Sequence, residues 1–258
     1  MNVDSNFYTF GFATIMVVIV AALLSYAAIG LKPFQDRNIE LEKQQNILSS
    51  IGINVERDLA EDAYSKYIKE ELVLNYKGEL VDGSAFEIDL NKELKKDRVN
   101  QLLPLFISNI DGVKQYIIPL RGKGLWGPIW GFIALEEDVN TVYGAVFDHK
   151  GETPGLGAEI NQAFFQEPFV GKSIFDDKDF TSIRVVKGGA PEGDNHAVDG
   201  ISGGTITSDG VTDMLLERLN MYLPYIIKVK TDLEEKKIMN KMDSVQILND
   251  SLIEYRYE

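Results

Sequence analysis

A long uncharged stretch near the N-terminus constrains this chain more than any other feature. No Asp, Glu, Lys or Arg lies between Asp4 and Lys32, and most residues of that span are apolar. About 20 apolar residues are enough for a helix to cross the hydrocarbon core of a bilayer. A cleaved signal peptide is the alternative, but no basic residue precedes the run, and the run exceeds the usual ~7–15 residues of a signal-peptide core. We therefore predict that residues 1–32 form an uncleaved transmembrane anchor.

The rest of the chain, residues 33–258, is long enough for one soluble domain. The formal net charge of -14 argues against nucleic acid as a partner. The chain has no cysteine, which excludes disulfides, thiolate metal sites and cysteine-bound iron–sulfur clusters. The two histidines, His149 and His196, show no metal-ligand spacing. We expect a soluble acidic domain without a bound metal.

The residue patterns of the soluble part predict an α+β fold, an antiparallel sheet with flanking helices. Pro33 is expected to end the membrane helix or to begin a linker. Helical patterns cover residues 36–50, 58–72 and 157–165, a hairpin signal lies at residues 75–78, and strand patterns cover residues 116–120, 129–135, 142–147 and 180–187. The links between the central strands are short, which favours antiparallel neighbours because parallel strands need long crossovers. The charged run 232–258 is left open between a helix and a loose tail.

The loop at residues 199–207, Asp-Gly-Ile-Ser-Gly-Gly-Thr-Ile-Thr, has the features of a phosphate site. Gly203 and Gly204 allow the backbone to fold tightly around a bulky anion. Apolar residues at helical spacing follow, and the free N–H groups at the start of a helix favour an anion; that helical stripe comprises Val211, Met214, Leu215, Arg218 and Leu219. The competing interpretation is a simple glycine turn with a Ser or Thr helix cap.

Two further glycine-containing loops precede that segment. Residues 122–131 contain a G-x-G, but no helical pattern follows, so the loop is not a dinucleotide fingerprint. It is either a turn between strands with a buried Trp126 or part of a site that binds a ring. In residues 152–160 a Pro-Gly turn precedes Gly157, and the bare backbone at Gly155 and Gly157 would let a flat ring approach closely.

The segment from Asp199 to Thr205 resembles the D-x-x-[ST]-G-A-T pattern of proteins that carry FMN in phosphoester linkage to threonine. By that resemblance Thr205 is the modified residue. Gly204 departs from the pattern, which usually has alanine there. Thr207 is the second choice of acceptor, and Ser202 is a weaker one.

Taken together and in order, these loops resemble the NqrC family, the flavin-bearing C subunits of sodium-translocating NADH:quinone oxidoreductases. The Glu-Thr-Pro-Gly-Leu-Gly run at residues 152–157 and the threonyl-flavin motif are shared with the G subunits of the related Rnf complexes. The Gly-Leu-Trp segment at 124–126 and the Trp-Gly-Phe-Ile-Ala-Leu segment at 130–135 favour the quinone reductase. An Rnf-type protein and a membrane-anchored sensor domain that binds a flavin or another ligand remain the alternatives.

The resemblance implies an electron-relay protein that holds one FMN at Thr205. It implies that Asp199 orients the motif or assists the modifying flavin transferase, and that Ser202, Gly203, Gly204 and Thr207 shape or flank the phosphate loop. Ring and ribityl contacts are expected from Trp126, Glu152, Thr153, Gly155, Leu156 and Gly157.

The resemblance also implies a location and partners. The chain is expected to be a single-pass protein of the bacterial cytoplasmic membrane, embedded in lipid and assembled with other subunits of a quinone reductase. Lys32, Arg37 and Lys43 follow the span, so charge alone predicts a cytoplasmic domain. Long domains are exported despite such a bias. With the family, we expect the soluble domain on the outer side.

Overall fold

The computed structural model describes residues 6–254, and the chain divides into two compact units, Met1–Gln44 and Gln45–Glu258. The first unit consists of most of helix α1 (Asn6–Ser49), whose apolar window has a mean hydropathy of 2.5 and no buried residue. This helix fits a single-pass anchor by length and composition. It continues through Pro33, so the prediction that Pro33 ends the helix is wrong. A proline removes one backbone hydrogen bond, and intact turns on both sides keep the helix continuous.

The second unit is built on one six-stranded sheet in the order β2-β1-β3-β4-β5-β6, with every neighbouring pair antiparallel. The predicted α+β fold with an antiparallel sheet is confirmed. The sheet strands are β1 (Ile68–Leu74), β2 (Leu80–Val81), β3 (Leu103–Ile110), β4 (Val113–Lys123), β5 (Pro128–Leu135) and β6 (Val142–His149). Two two-stranded ribbons lie later in the chain, β7 (Phe175–Asp176) with β8 (Asp179–Phe180), and β9 (Arg184–Val186) with β10 (Ala197–Asp199).

Helices and 3₁₀ turns flank this sheet. The remaining helices are α2 (Ala60–Tyr67), α3 (Leu90–Glu93), α4 (Ala163–Gln166) and α5 (Thr205–Glu254). Short 3₁₀ turns lie at Arg57–Leu59, Arg98–Asn100, Gly157–Asn161 and Glu167–Phe169. The charged C-terminal run is thus part of α5 as far as Glu254.

Successive residues of the central strands point to opposite faces, so each face of the sheet has its own core. On one face, Ile118 and Ile133 pack with Met214 and Leu215 of α5. On the other face, Ile117 belongs to a second cluster with the end of α1. The apolar residues of the predicted α5 stripe are buried as expected, from Val211 to Leu219.

Two predicted elements differ from the structure. The helix predicted over residues 58–72 ends at Tyr67, because the next residues pair with β3 as strand β1. Its apolar residues satisfy the helical spacing, but the β-branched Ile68 and Val73 suit a strand, and sheet pairing decides the outcome. The strand predicted over residues 180–187 is divided between β8 and β9, since Ser182 has a positive φ of 63°. The predicted hairpin is confirmed by the Asn75 N–H, which donates to Glu79 O at 2.9 Å.

Candidate functional site

The carboxylate of Glu152 joins all three loops that the sequence singles out. Glu152 follows β6 and is buried, with 4% of its surface exposed. Its Oε1 accepts the backbone N–H of Trp126 at 2.9 Å, in the loop between β4 and β5. Its Oε2 accepts the hydroxyl of Thr207 at 2.7 Å, in the first turn of α5. The backbone N–H of Glu152 donates to His149 Nδ1 at 3.1 Å. This one side chain therefore fixes the position of each loop relative to the others.

Glycines make this close approach possible. A Cβ atom on Gly157 would clash with Thr207 Oγ1 and would lie 2.7 Å from Glu152 Oε2. A Cβ atom on Gly124 would lie 2.6 Å from Glu152 Oε1. Gly210 lies inside α5, where a Cβ atom would clash with the carbonyl of Lys123. These glycines are needed because neighbouring groups fill the space of a side chain.

Glu152 is held in its ionised form. Burial alone would raise its pKa, but the Thr207 hydroxyl and the backbone N–H groups of Trp126, Gly127 and Leu125 donate hydrogen bonds and lower the pKa below its ordinary value. Donors that favour the carboxylate thus outweigh the cost of desolvation. Ionised Glu152 stabilises the joined loops.

We expect this junction to weaken in acid. Because the pKa of Glu152 is lowered by folding, its contribution to stability is full above the unfolded pKa of about 4.3 and is lost as the pH falls through the lower folded value. The melting temperature of Glu152→Gln should therefore fall less between pH 6 and pH 3 than that of the wild type. Thermal unfolding across that range measures the difference, and parallel curves for the two proteins would contradict the role of the charge.

The turn that precedes Thr205 is tight. Gly204 N–H donates to Ile201 O at 3.0 Å, and Gly203 has a positive φ of 74°, which suits glycine. The side chain of Leu156 occupies the space where a Cβ atom on Gly203 would lie. At Gly204, where the flavin motif usually has alanine, a Cβ atom would lie 3.1 Å from Ile201 Cγ2. The departure at Gly204 therefore relieves a tight contact in this turn.

The three hydroxyls of the motif differ in exposure. Thr205 is the first residue of α5 and is partly exposed, whereas Ser202 is exposed on the turn. Thr207 has only 1% of its surface exposed, and its hydroxyl donates to Glu152. As a helix cap, Thr207 would have to precede a helix beginning near Ser208, but α5 begins at Thr205, so the capping role is wrong. Thr207 instead connects α5 to Glu152.

We expect Thr207→Ala to destabilise the domain by about 1–3 kcal/mol, because it removes a hydrogen bond to a buried carboxylate. It should leave flavin attachment intact, since the change spares Thr205. Thr207→Ser is the matched control, because it keeps the hydroxyl. Chemical denaturation with in-gel flavin fluorescence measures both effects, and a stable but unflavinylated Thr207→Ala would contradict them.

Asp199 anchors the other end of the motif. It ends strand β10, and its Oδ1 accepts the backbone N–H of Ala190 at 2.7 Å. The next residue, Gly200, donates its N–H to Val186 O at 2.8 Å. Asp199 thereby fixes the turn in front of β10 and fits the predicted role of orienting the motif.

Exposed apolar groups surround this junction. Trp126 is 70% exposed, so the interpretation of a buried tryptophan is wrong, and its indole N–H donates to Thr153 Oγ1 at 3.1 Å. Leu156 is exposed beside the turn at Gly203, and two further exposed residues that no motif singles out, Leu125 and Ile206, lie nearby in sequence. Their only sequence signal is an apolar residue next to Trp126 or Thr205.

The residues present fit a flavin mononucleotide. Gly155 has a positive φ of 75° and open space where a side chain would be, and exposed Trp126 and Leu156 offer apolar surface to a ring. Thr205, at the start of a long helix, places a hydroxyl where backbone N–H groups favour a phosphate. Among residues 6–254, no group of three or more His, Cys, Asp or Glu residues could hold a metal ion.

Comparison with known proteins defines the class. The family model described as FMN-binding domain matches residues 124–220, which include all three loops. The C subunit of the Na(+)-translocating NADH-quinone reductase of Vibrio vulnificus is 36% identical over 225 residues, which cover 81% of this chain and 88% of that protein. The chain belongs to the family of these C subunits.

Solved structures agree with this assignment. The crystal structure of the corresponding NADH-quinone reductase protein from Parabacteroides distasonis is 47% identical, with a TM-score of 0.71, and the match covers 76% of this chain and 96% of that one. The crystal structure of Shewanella oneidensis NqrC is 30% identical, with a TM-score of 0.66, over 74% of this chain and 98% of that one. The chain is therefore an electron-carrying flavin subunit of an oxidoreductase complex.

Proposed function

We propose that this protein holds FMN covalently, by a phosphoester to Thr205, and relays electrons between NADH and quinone within a sodium-translocating reductase. The observation that carries the proposal is the contrast between the motif hydroxyls. Thr205 is partly exposed at the start of α5, whereas Thr207 is buried against Glu152. Thr205 alone combines an accessible hydroxyl with the N–H groups of a helix start.

Each neighbouring residue has a part in holding the cofactor. Gly203 and Gly204 form the turn that brings the backbone close to the phosphate, and Ser202 flanks it. Trp126 and Leu156 cover the ring, and the bare backbone of Gly155 allows the ring to approach. Glu152, Thr153 and Gly157 act on the protein side, because their hydrogen bonds and packing hold these loops in place.

When bound, FMN accepts and donates electrons, and the protein supplies its position and surroundings. An ester to Thr205 prevents loss of the cofactor between turnovers. The fixed loops around Glu152 keep the ring surface in one place, which a relay needs. Asp199 keeps the motif in the orientation that a flavin transferase must reach.

The mass of the intact chain, purified from its host, tests the attachment. The ester replaces the Thr205 hydroxyl hydrogen by the FMN phosphoryl group, so the chain should gain the mass of one FMN less one water. Peptide fragmentation should place the gain on Thr205. An unmodified mass would favour the sensor alternative. Co-purification with quinone-reductase subunits rather than Rnf subunits separates the remaining two possibilities.

We also propose that residues 1–32 anchor the chain in the cytoplasmic membrane of a bacterium and that residues 33–258 form the FMN-binding part outside it. The supporting observation is the uncharged apolar part of α1, together with membership of this family. A flavin transferase that acts on the outer side requires the motif there. The basic residues after the span oppose this orientation by a bias that long domains override.

Reporter fusions measure the orientation. We expect a periplasm-active alkaline phosphatase fused to the C-terminus to be active and a fluorescent protein that matures only in the cytoplasm to stay dark. Both fusions should be present at equal levels in the membrane fraction. The opposite pair of results would place the Thr205 loop in the cytoplasm and overturn the proposed orientation.

A further inference from the structure

The outer edge of strand β6 carries unpaired backbone groups. In the β5–β6 ladder, Trp130 is opposite Asp148 and Phe132 is opposite Val146. The Lys150 N–H donates to Pro128 O, which sets the alternation, so the backbone groups of Ala145 and Phe147 face away from β5. Phe147 O accepts Gln166 Nε2 at 3.0 Å, on that outer side. Among residues 6–254, no backbone or side-chain partner meets the N–H or C=O of Ala145 or the N–H of Phe147.

These groups lie along a groove of about 550 Å³ whose floor is residues 143–148. One wall is formed by the end of α1 and the turn after it, including Asn46 and Asn54. The other wall is formed by residues 161–170, including α4. The groove therefore follows the strand between the two layers that cover the sheet, and its width leaves the strand edge open.

The charge of the groove is one-sided. Asp148 and Glu167 line it, and no Lys or Arg among the described residues does. The polar wall residues Asn46, Asn54 and Asn161 offer side-chain amides, which hydrogen-bond equally well to a peptide backbone. A ligand that satisfies the strand edge and the acidic lining is an extended polypeptide with a basic side chain.

We propose that the β6 edge binds an extended, Lys- or Arg-bearing segment of a partner protein in the complex, which adds a seventh strand to the sheet. Backbone groups of Ala145 and Phe147 pair with the added strand, and Asp148 and Glu167 attract its basic side chain. Because β6 leads directly into the loop that carries Glu152, the partner segment lies along the strand that supports the flavin site. This inference rests on the proposed function in one respect, the assembly of the chain with other subunits.

Hydrogen exchange on the full-length chain tests the pairing. The amide exchange rates of Ala145 and Phe147 are compared between the chain purified alone in detergent and the chain in the complex purified from host membranes. We expect at least tenfold slower exchange in the complex, with the amides of the Asp111–Gly112 turn as an unaffected reference. Failure to co-purify would overturn the proposed assembly. Co-purification with unchanged exchange at Ala145 and Phe147 would overturn the groove inference alone.

A photo-reactive amino acid in place of exposed Val170, in the groove wall, identifies the occupant. A cross-link to a Lys- or Arg-bearing segment of another protein in the complex supports the proposal, whereas one to a second copy of this chain or to lipid overturns it. Glu167→Arg should lower the yield of that cross-link severalfold, and Glu192→Arg, at an exposed position outside the groove, should not. Equal yields in the two variants would overturn the basic character of the segment.

Discussion

Thr205→Ala should abolish covalent flavin completely while the domain stays folded. Thr205 is the partly exposed first residue of α5, so losing its hydroxyl disturbs no buried contact. We expect the stability to change by less than about 1 kcal/mol, as is usual for substitutions away from buried features. Flavin fluorescence of the denatured band, with the mass of the intact chain, measures the attachment. Circular dichroism melting checks that the fold is retained.

Two controls make this result specific to one hydroxyl. Thr205→Ser keeps a hydroxyl at the same backbone position and should retain attachment at a reduced level. Ser202→Ala removes the exposed hydroxyl of the turn and should leave attachment unchanged. A fluorescent band in Thr205→Ala would move the attachment to Ser202 or Thr207, and peptide fragmentation would show which.

Much of this architecture is predictable because local patterns and packing agree. The central strands have long apolar runs with short links, and α5 has a regular apolar stripe, so the residue pattern predicts both. Residues 68–72 are not predictable in this way, because their spacing suits a helix or a strand and only the pairing with β3 decides between them. The expectation at Pro33 is wrong because a proline weakens a helix locally without having to end it.

The site is predictable in composition but not in connection. Glycine-rich motifs mark all three loops, because close backbone approach needs glycine there. No sequence pattern indicates that Glu152 accepts hydrogen bonds from residues 26 positions before it and 55 positions after it. The resemblance implies that Glu152 and Thr153 contact the flavin, yet their side chains bond to Trp126 and Thr207. The signal for Gly210 is a glycine inside a helical pattern, which indicates close packing.

The junction at Glu152 leads to the second large effect, which concerns Gly157. This glycine lies at the start of a 3₁₀ turn, and its α-carbon faces the hydrogen bond between Thr207 and Glu152. Its backbone conformation is open to other residues, since its φ is not among the positive values. The space alone forbids a side chain. A single methyl group therefore acts on the junction without straining the backbone.

We expect Gly157→Ala to lower the free energy of unfolding by about 3 kcal/mol, combining overpacking with weakening of a charged hydrogen bond. For a domain of this size, that corresponds to a fall in melting temperature of roughly 6–12 °C. Covalent flavin should also decrease, because displacement of Leu156 disturbs the turn at Gly203. Gly151→Ala is the matched control, since its Cβ would meet nothing within 4 Å and its φ is not positive. If both variants melted together, the packing around Glu152 would not govern stability. If Gly157→Ala lost stability but flavinylated normally, the junction would support the fold and not the attachment.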